Sequence, residues 1–149
     1  MSGVANLIIA PVVLPLVAGA GMLLLSGERH RNIMAAVSVV ATFALACIAI
    51  ALLRMSDASQ MGISQAYRLG DWPAPFGIVL VLDRLSALML LLTSILALAA
   101  VVFSLARWHR AGAHFHPLFQ FLLMGLNGAF LTGDLFNLFV FFELLLAAS

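Results

Sequence analysis

From Ile33 to Leu53 the chain reads IMAAVSVVATFALACIAIALL, without one charged side chain. A helix needs about 20 such residues, at 1.5 Å rise each, to cross ~30 Å of hydrocarbon. Comparable runs extend from Val4 to Leu25 and from Asp83 to Ala106. Only 9% of the 149 residues are charged and 64% are hydrophobic, against about 25% charged in a soluble domain. So few charges cannot furnish a water-facing surface, so the solvent for most of this surface is the lipid bilayer. With a net charge of +1 the chain has no basic stripe of the kind nucleic acid requires.

Two further runs complete the pattern. One spans Ala113 to Gly133. The other starts at Leu135 and is still apolar at Ser149, which reads as an incomplete span and as the amino-terminal portion of something longer. The expectation is an all-α polytopic membrane protein of about five transmembrane helices, one membrane domain over 1–149, with a loop at 54–82. In that loop, Gln65–Leu69 and Gly77–Leu82 flank GDWPAP, where Pro73 and Pro75 forbid helix; a small β-hairpin is expected. The amino-terminal flank of the first run, MSGVAN, has no Lys or Arg, so the run reads as a retained span and not a signal peptide. Arg29, Arg31, Arg107 and Arg110 lie in the first and third loops. The positive-inside rule then places those loops in the cytoplasm and the amino terminus outside the cell membrane.

Glu143 is the sharpest feature, set within DLFNLFVFFELLLAAS. Counted from Asp134 it lies ~13 Å into the helix, near mid-membrane. A central carboxylate costs roughly 2.5–3.5 kcal/mol on an insertion scale, so such groups mark ion or proton pathways and face a bundle interior. The bland alternative is a structural, hydrogen-bonded carboxyl. In the preceding run Gly125, Ala129 and Gly133 recur at i, i+4 and i+8, a small-residue stripe for close helix packing. A tight turn makes the last two runs an antiparallel hairpin, which brings Asn127 within about one helical turn of Glu143 in depth. Helix-to-helix glue is the favoured role for Asn127, a place near the pathway the other. Asp134 and Asn137 begin the fifth helix and Asp83 the third, as caps or interfacial groups. His109, His114 and His116 read as an interfacial loop and not a metal site. Cys47 reads as a small buried hydrophobe. No nucleophile, nucleotide, CxxC or HExxH motif is present, so neither enzymatic chemistry nor a cofactor is expected.

Three stretches carry a family resemblance: DWPAPFGI, LDRLSALMLLLTSI, and HPLFQFLLMGLNGAFLTGDLFNLFVFFELLLAAS. The chain closely resembles the D subunit of the multisubunit Mrp-type monovalent cation/proton antiporters. It is more distantly similar to the antiporter-like, proton-pumping subunits of respiratory complex I. The resemblance implies a larger fold of about fourteen helices with inverted repeats, of which this chain matches the first third. It implies that Glu143 is the fifth-helix glutamate that works with a lysine on the seventh helix, a residue this chain does not contain. It implies partners: other antiporter subunits, Na⁺ or K⁺, and protons. A proton-pumping subunit of a redox complex is the alternative, and a truncated, non-transporting scaffold the second.

Overall fold

The computed structural model describes residues 2–25, 30–58, 65–68, 77–107 and 114–149. Helices α1 (Ser2–Leu24), α2 (Arg31–Ala58), α3 (Arg84–Arg107), α4 (Phe115–Leu131) and α5 (Leu135–Ala148) are accompanied by a two-stranded sheet between α2 and α3 in the chain, β1 (Gln65–Arg68) and β2 (Val79–Leu82). Three helices, α1, α2 and α3, have membrane length and apolarity; α4 and α5 are shorter. Hydrocarbon offers no hydrogen bonds to backbone amides, so apolar segments of this length close their own ladders as helices. Large apolar side chains such as Val40, Phe103 and Phe139 point outward. A lipid-facing surface has no reason to exclude them.

The two strands pair antiparallel, Gln65 opposite Leu82 and Arg68 opposite Val79, within the two extended segments expected on either side of the proline turn. The GDWPAP turn lies outside the described residues, as do Arg29, Trp108, His109 and Arg110. The hairpin has a further use that the sequence did not suggest: β2 holds the α4–α5 turn. Leu80 bridges to Thr132, and the Gly133 N–H donates to the Val79 carbonyl at 2.8 Å. Leu80 and Leu82 bury their side chains in the main core with Ile8, Leu52, Leu90, Leu131 and Phe141.

α2 continues beyond Leu53 to Ala58, long enough for Asp57 to reach Arg84 at 3.1 Å. Both side chains are largely exposed, at 48% and 74%, so the pair adds less than about 1 kcal/mol. Asp83 ends the loop and caps α3: its Oδ1 accepts from the Ser86 N–H at 2.6 Å. The hydrogen bonds from Ser86 hold the Asp83 carboxyl below the usual carboxylate range. A depressed value stabilises the fold above the unfolded-state pKa, and that stability is lost as pH falls through the folded value. Asp83→Ala should therefore cost about 1 kcal/mol at neutral pH, read as thermal stability of the detergent-solubilised protein. The difference from the parent should shrink on acidification.

Candidate functional site

Asp134 opens α5 as its cap, with Oδ1 accepting from the Phe136 N–H at 3.3 Å. Counted from there, Glu143 sits about two and a half turns into the helix. Its side chain lies on the exposed side of α5, with Phe139 and Leu146. The residues that face α4 are Phe141 and Leu145. The interior position expected for Glu143 is thus not formed against α1–α4: the hairpin with α4 uses the opposite side of the helix.

Asn127 shares the depth of Glu143 but not its surroundings. A Cβ on Gly125 would meet Leu145 Cγ at 3.0 Å and the Phe141 carbonyl at 3.1 Å, which puts residues 125–127 level with 141–145. Asn127 itself is 1% exposed and turns to α1, where its Nδ2 donates to the Pro11 carbonyl at 2.9 Å. That carbonyl is available for a reason written in α1. Residue 15 would ordinarily donate to it, but Pro15 has no N–H. Asn127 supplies from a neighbouring helix the hydrogen bond that Pro15 withholds, and it ties α4 to α1 in the interior of the bundle. The structure does not bring Asn127 and Glu143 into one cluster.

The small-residue stripe differs from the expected one. Gly125 faces α5 as described. Its partner is Gly128, where a Cβ would fall on the Phe141 ring. Ala129 packs against the main core instead. Gly133 lies beyond the end of α4, exposed, beside β2: a Cβ there would stand 2.5 Å from Val81 Cγ2. The i, i+4, i+8 reading assumed the helix runs to Gly133, whereas Thr132 already has extended backbone.

Asn137 is 7% exposed, not a surface cap. It lines a cavity of ≈190 Å³ otherwise walled by apolar groups such as Ile9, Leu80, Met124 and Phe141. Cys47, expected to be buried, is exposed on the apolar surface. His116 also departs from the loop assignment: it occupies the first turn of α4 and is 3% exposed. His114 precedes the helix and is exposed. Among the described residues no group of three or more His, Cys, Asp or Glu could hold a metal. Sequence reasoning passed over Ser38, Thr42 and Gln120, all 0% exposed. Their signal was present: Ser38 and Thr42, like His116 and Gln120, recur at i, i+4 on one helix face.

No family model matches the chain. Individual proteins do. Over 146 residues, 97% of its length, it is 58% identical to the probable K⁺/H⁺ antiporter D subunit of Rhizobium meliloti (strain 1021), of which it covers 27%. It is 41% identical, over the same share of its length, to the Na⁺/H⁺ antiporter D subunit of Alkalihalophilus pseudofirmus, covering 29% of that protein. The Mrp complex from Dietzia sp. DQ12-45-1b contains a chain that matches with a TM-score of 0.82 and 31% identity, over 99% of this chain and 27% of that one. The chain is homologous to the D subunits of cation/proton antiporters. It spans less than a third of the length of the curated relatives it matches. Together with its apolar helices, this homology makes the chain a multi-pass membrane protein.

Two outcomes are expected for its helix contacts. Asn127→Leu should destabilise the subunit by about 1–2 kcal/mol, the range for buried polar contacts between membrane helices. In a Pro15→Ala background, whose restored N–H can take the Pro11 carbonyl, the same change should cost clearly less. A double-mutant cycle on unfolding in detergent checks this; equal costs in both backgrounds would show that the carbonyl is not the shared partner. Gly128→Ala should loosen the α4–α5 pair more than Gly125→Ala, and Phe141→Leu should restore part of the loss.

Proposed function

We propose that the chain acts in transport, within a multisubunit monovalent cation/proton antiporter of the cell membrane, and that it has no enzymatic role. The observation that carries this reading is homology to antiporter D subunits over 97% of the chain. One such relative is named for K⁺ and another for Na⁺, so the cargo class is a monovalent cation. The partners are the other subunits of the antiporter, together with lipid. All five helices are spans in this reading. α4 measures about 26 Å at 1.5 Å per residue, a little short of the hydrocarbon thickness, which local thinning of the bilayer or neighbouring subunits would make up. Arg31 opens α2 and Arg107 closes α3, and the positive-inside rule supports reading their shared end of the bundle as cytoplasmic, with the amino terminus outside.

Glu143 is the proton- or cation-handling group. Its support is its depth and its direction. A carboxylate turned to bare hydrocarbon is costly, so its face is covered in the assembled subunit by a polar or cationic partner outside α1–α4. In the full-length subunit within its complex, Glu143→Gln should abolish cation-dependent proton flux in everted vesicles while assembly persists. Glu143→Asp, one methylene shorter, should keep part of the flux. Wild-type flux in Glu143→Gln would falsify the transport role. For orientation, an impermeant thiol reagent should reach a cysteine at Ala58 but not one at Ala113 in intact cells carrying Cys47→Ala; the reverse pattern would invert the topology.

A further inference from the structure

A buried polar line runs along the seam between α2 and α4, and neither Glu143 nor the glycine packing uses it. Ser38 and Thr42 of α2 are 0% exposed, as is Gln120 of α4, with His116 at 3% and Asn127 at 1%. Arg31, at the start of α2, is half-buried with its Nε covered. Positions 31, 38 and 42 share one face of α2, and 116, 120 and 127 share one face of α4. Gln120 joins the two faces. Its Nε2 lies 3.1 Å from Ser38 Oγ, 3.3 Å from Thr42 Oγ1 and 3.3 Å from the Ser38 carbonyl. On each helix the line is about 16 Å long, roughly half the hydrocarbon thickness. It begins where α2 and α4 both start. On α4 it continues to Asn127, which turns from α2 to the Pro11 carbonyl of α1 at the level of residues 141–145 of α5.

The hydrogen bonds of this line do not close on themselves. The two Nε2 protons of Gln120 face three acceptors, while Oε1 is buried without a partner. Rotating the amide by 180° lets Ser38 Oγ–H donate to Oε1, but then Nε2 takes the position that has no acceptor. Thr42 cannot help, because its hydroxyl already donates to the Ser38 carbonyl at 2.7 Å. Either way one buried amide atom is left unmatched, which is costly away from water. Asn127 Oδ1 is a second such atom, and its orientation is set by Pro11, whose carbonyl can accept only from Nδ2. A seam that served only to join helices would pair its groups with one another. Buried polar atoms left over in this way are where internal water binds.

We propose that the α2–α4 seam holds water and admits protons from the side on which these helices begin to the depth of Glu143. The use of those protons rests on the antiport reading; the water does not. Protons pass along the waters by exchange of O–H bonds, with the Ser38 and Thr42 hydroxyls and the two amides holding the waters in place and remaining neutral.

The test uses the full-length subunit in its assembled complex, with Cys47→Ala. Single cysteines are placed at Ser38 and, as a dry control, at Ala97, which is 5% exposed in an apolar cluster. A charged, membrane-impermeant methanethiosulfonate should modify Ser38→Cys at least about tenfold faster than Ala97→Cys, and from the α2-start side only. Gln120→Met keeps the length of the side chain and removes the amide. It should slow cation-dependent proton flux about tenfold with the complex at normal level; if that variant does not assemble, the near-isosteric Thr42→Val carries the same expectation. Ser38→Cys no more reactive than Ala97→Cys overturns the hydrated seam. Fast labelling with wild-type flux in Gln120→Met and Thr42→Val overturns the proton route. Loss of the antiport reading alone would appear differently: wild-type complex without cation-dependent flux, yet with Ser38→Cys still labelled from one side.

Discussion

Hydrocarbon does not hydrogen-bond, and the Asn127–Pro11 contact is a direct consequence. Each proline in α1 removes one backbone donor, so a carbonyl one turn back loses its partner in a medium that cannot replace it. For Pro15 the freed group is the Pro11 carbonyl, and Asn127 meets it at 2.9 Å. The defect in one helix and the polar residue in another are therefore two halves of one interaction. Once it forms, the rotation of α4 about its axis is set. Gly125 and Gly128 then face α5, and Gln120 faces Ser38 and Thr42.

The orientation of α4 governs what α5 can do. Without a Cβ at either glycine, α5 approaches closely and Phe141 fills the space. That commits the Phe141–Leu145 side of α5 to the hairpin and turns Glu143 away from it. The far end is held by β2, through the Val79 carbonyl and the Leu80–Thr132 bridge. The loop hairpin thus acts as a clamp on the turn that positions the acidic helix, and its place in the structure is mechanical.

The distribution of polar groups has a similar logic. Ser94 and Ser104 return their hydroxyls to carbonyls of their own helix at 2.7 Å, which satisfies them without a partner helix. Thr42 does the same with the Ser38 carbonyl, whereas Gln120 and Asn127 depend on contacts between helices. Of the two sets, only the second leaves amide atoms without partners. That difference separates groups that are merely tolerated in the membrane from a line whose geometry asks for water.

The sequence by itself determined the membrane setting, the positions of the helices and the pairing of the loop strands, because these depend on run length, side-chain polarity and helix-breaking turn residues along a single segment. The position of Glu143 along α5 and the capping chemistry at Asp83 and Asp134 were legible for the same reason: rise per residue and local capping are one-dimensional quantities. Which way each side chain points was not. Glu143 turns away from α4, Asn137 lines a cavity, His116 enters the bundle, and Gly128 replaces Gly133 in the close packing, because each of these depends on the rotation of one helix against another. That rotation is set by contacts more than a hundred residues apart in the chain, such as Asn127 with Pro11, and no periodicity within a single helix specifies its partner.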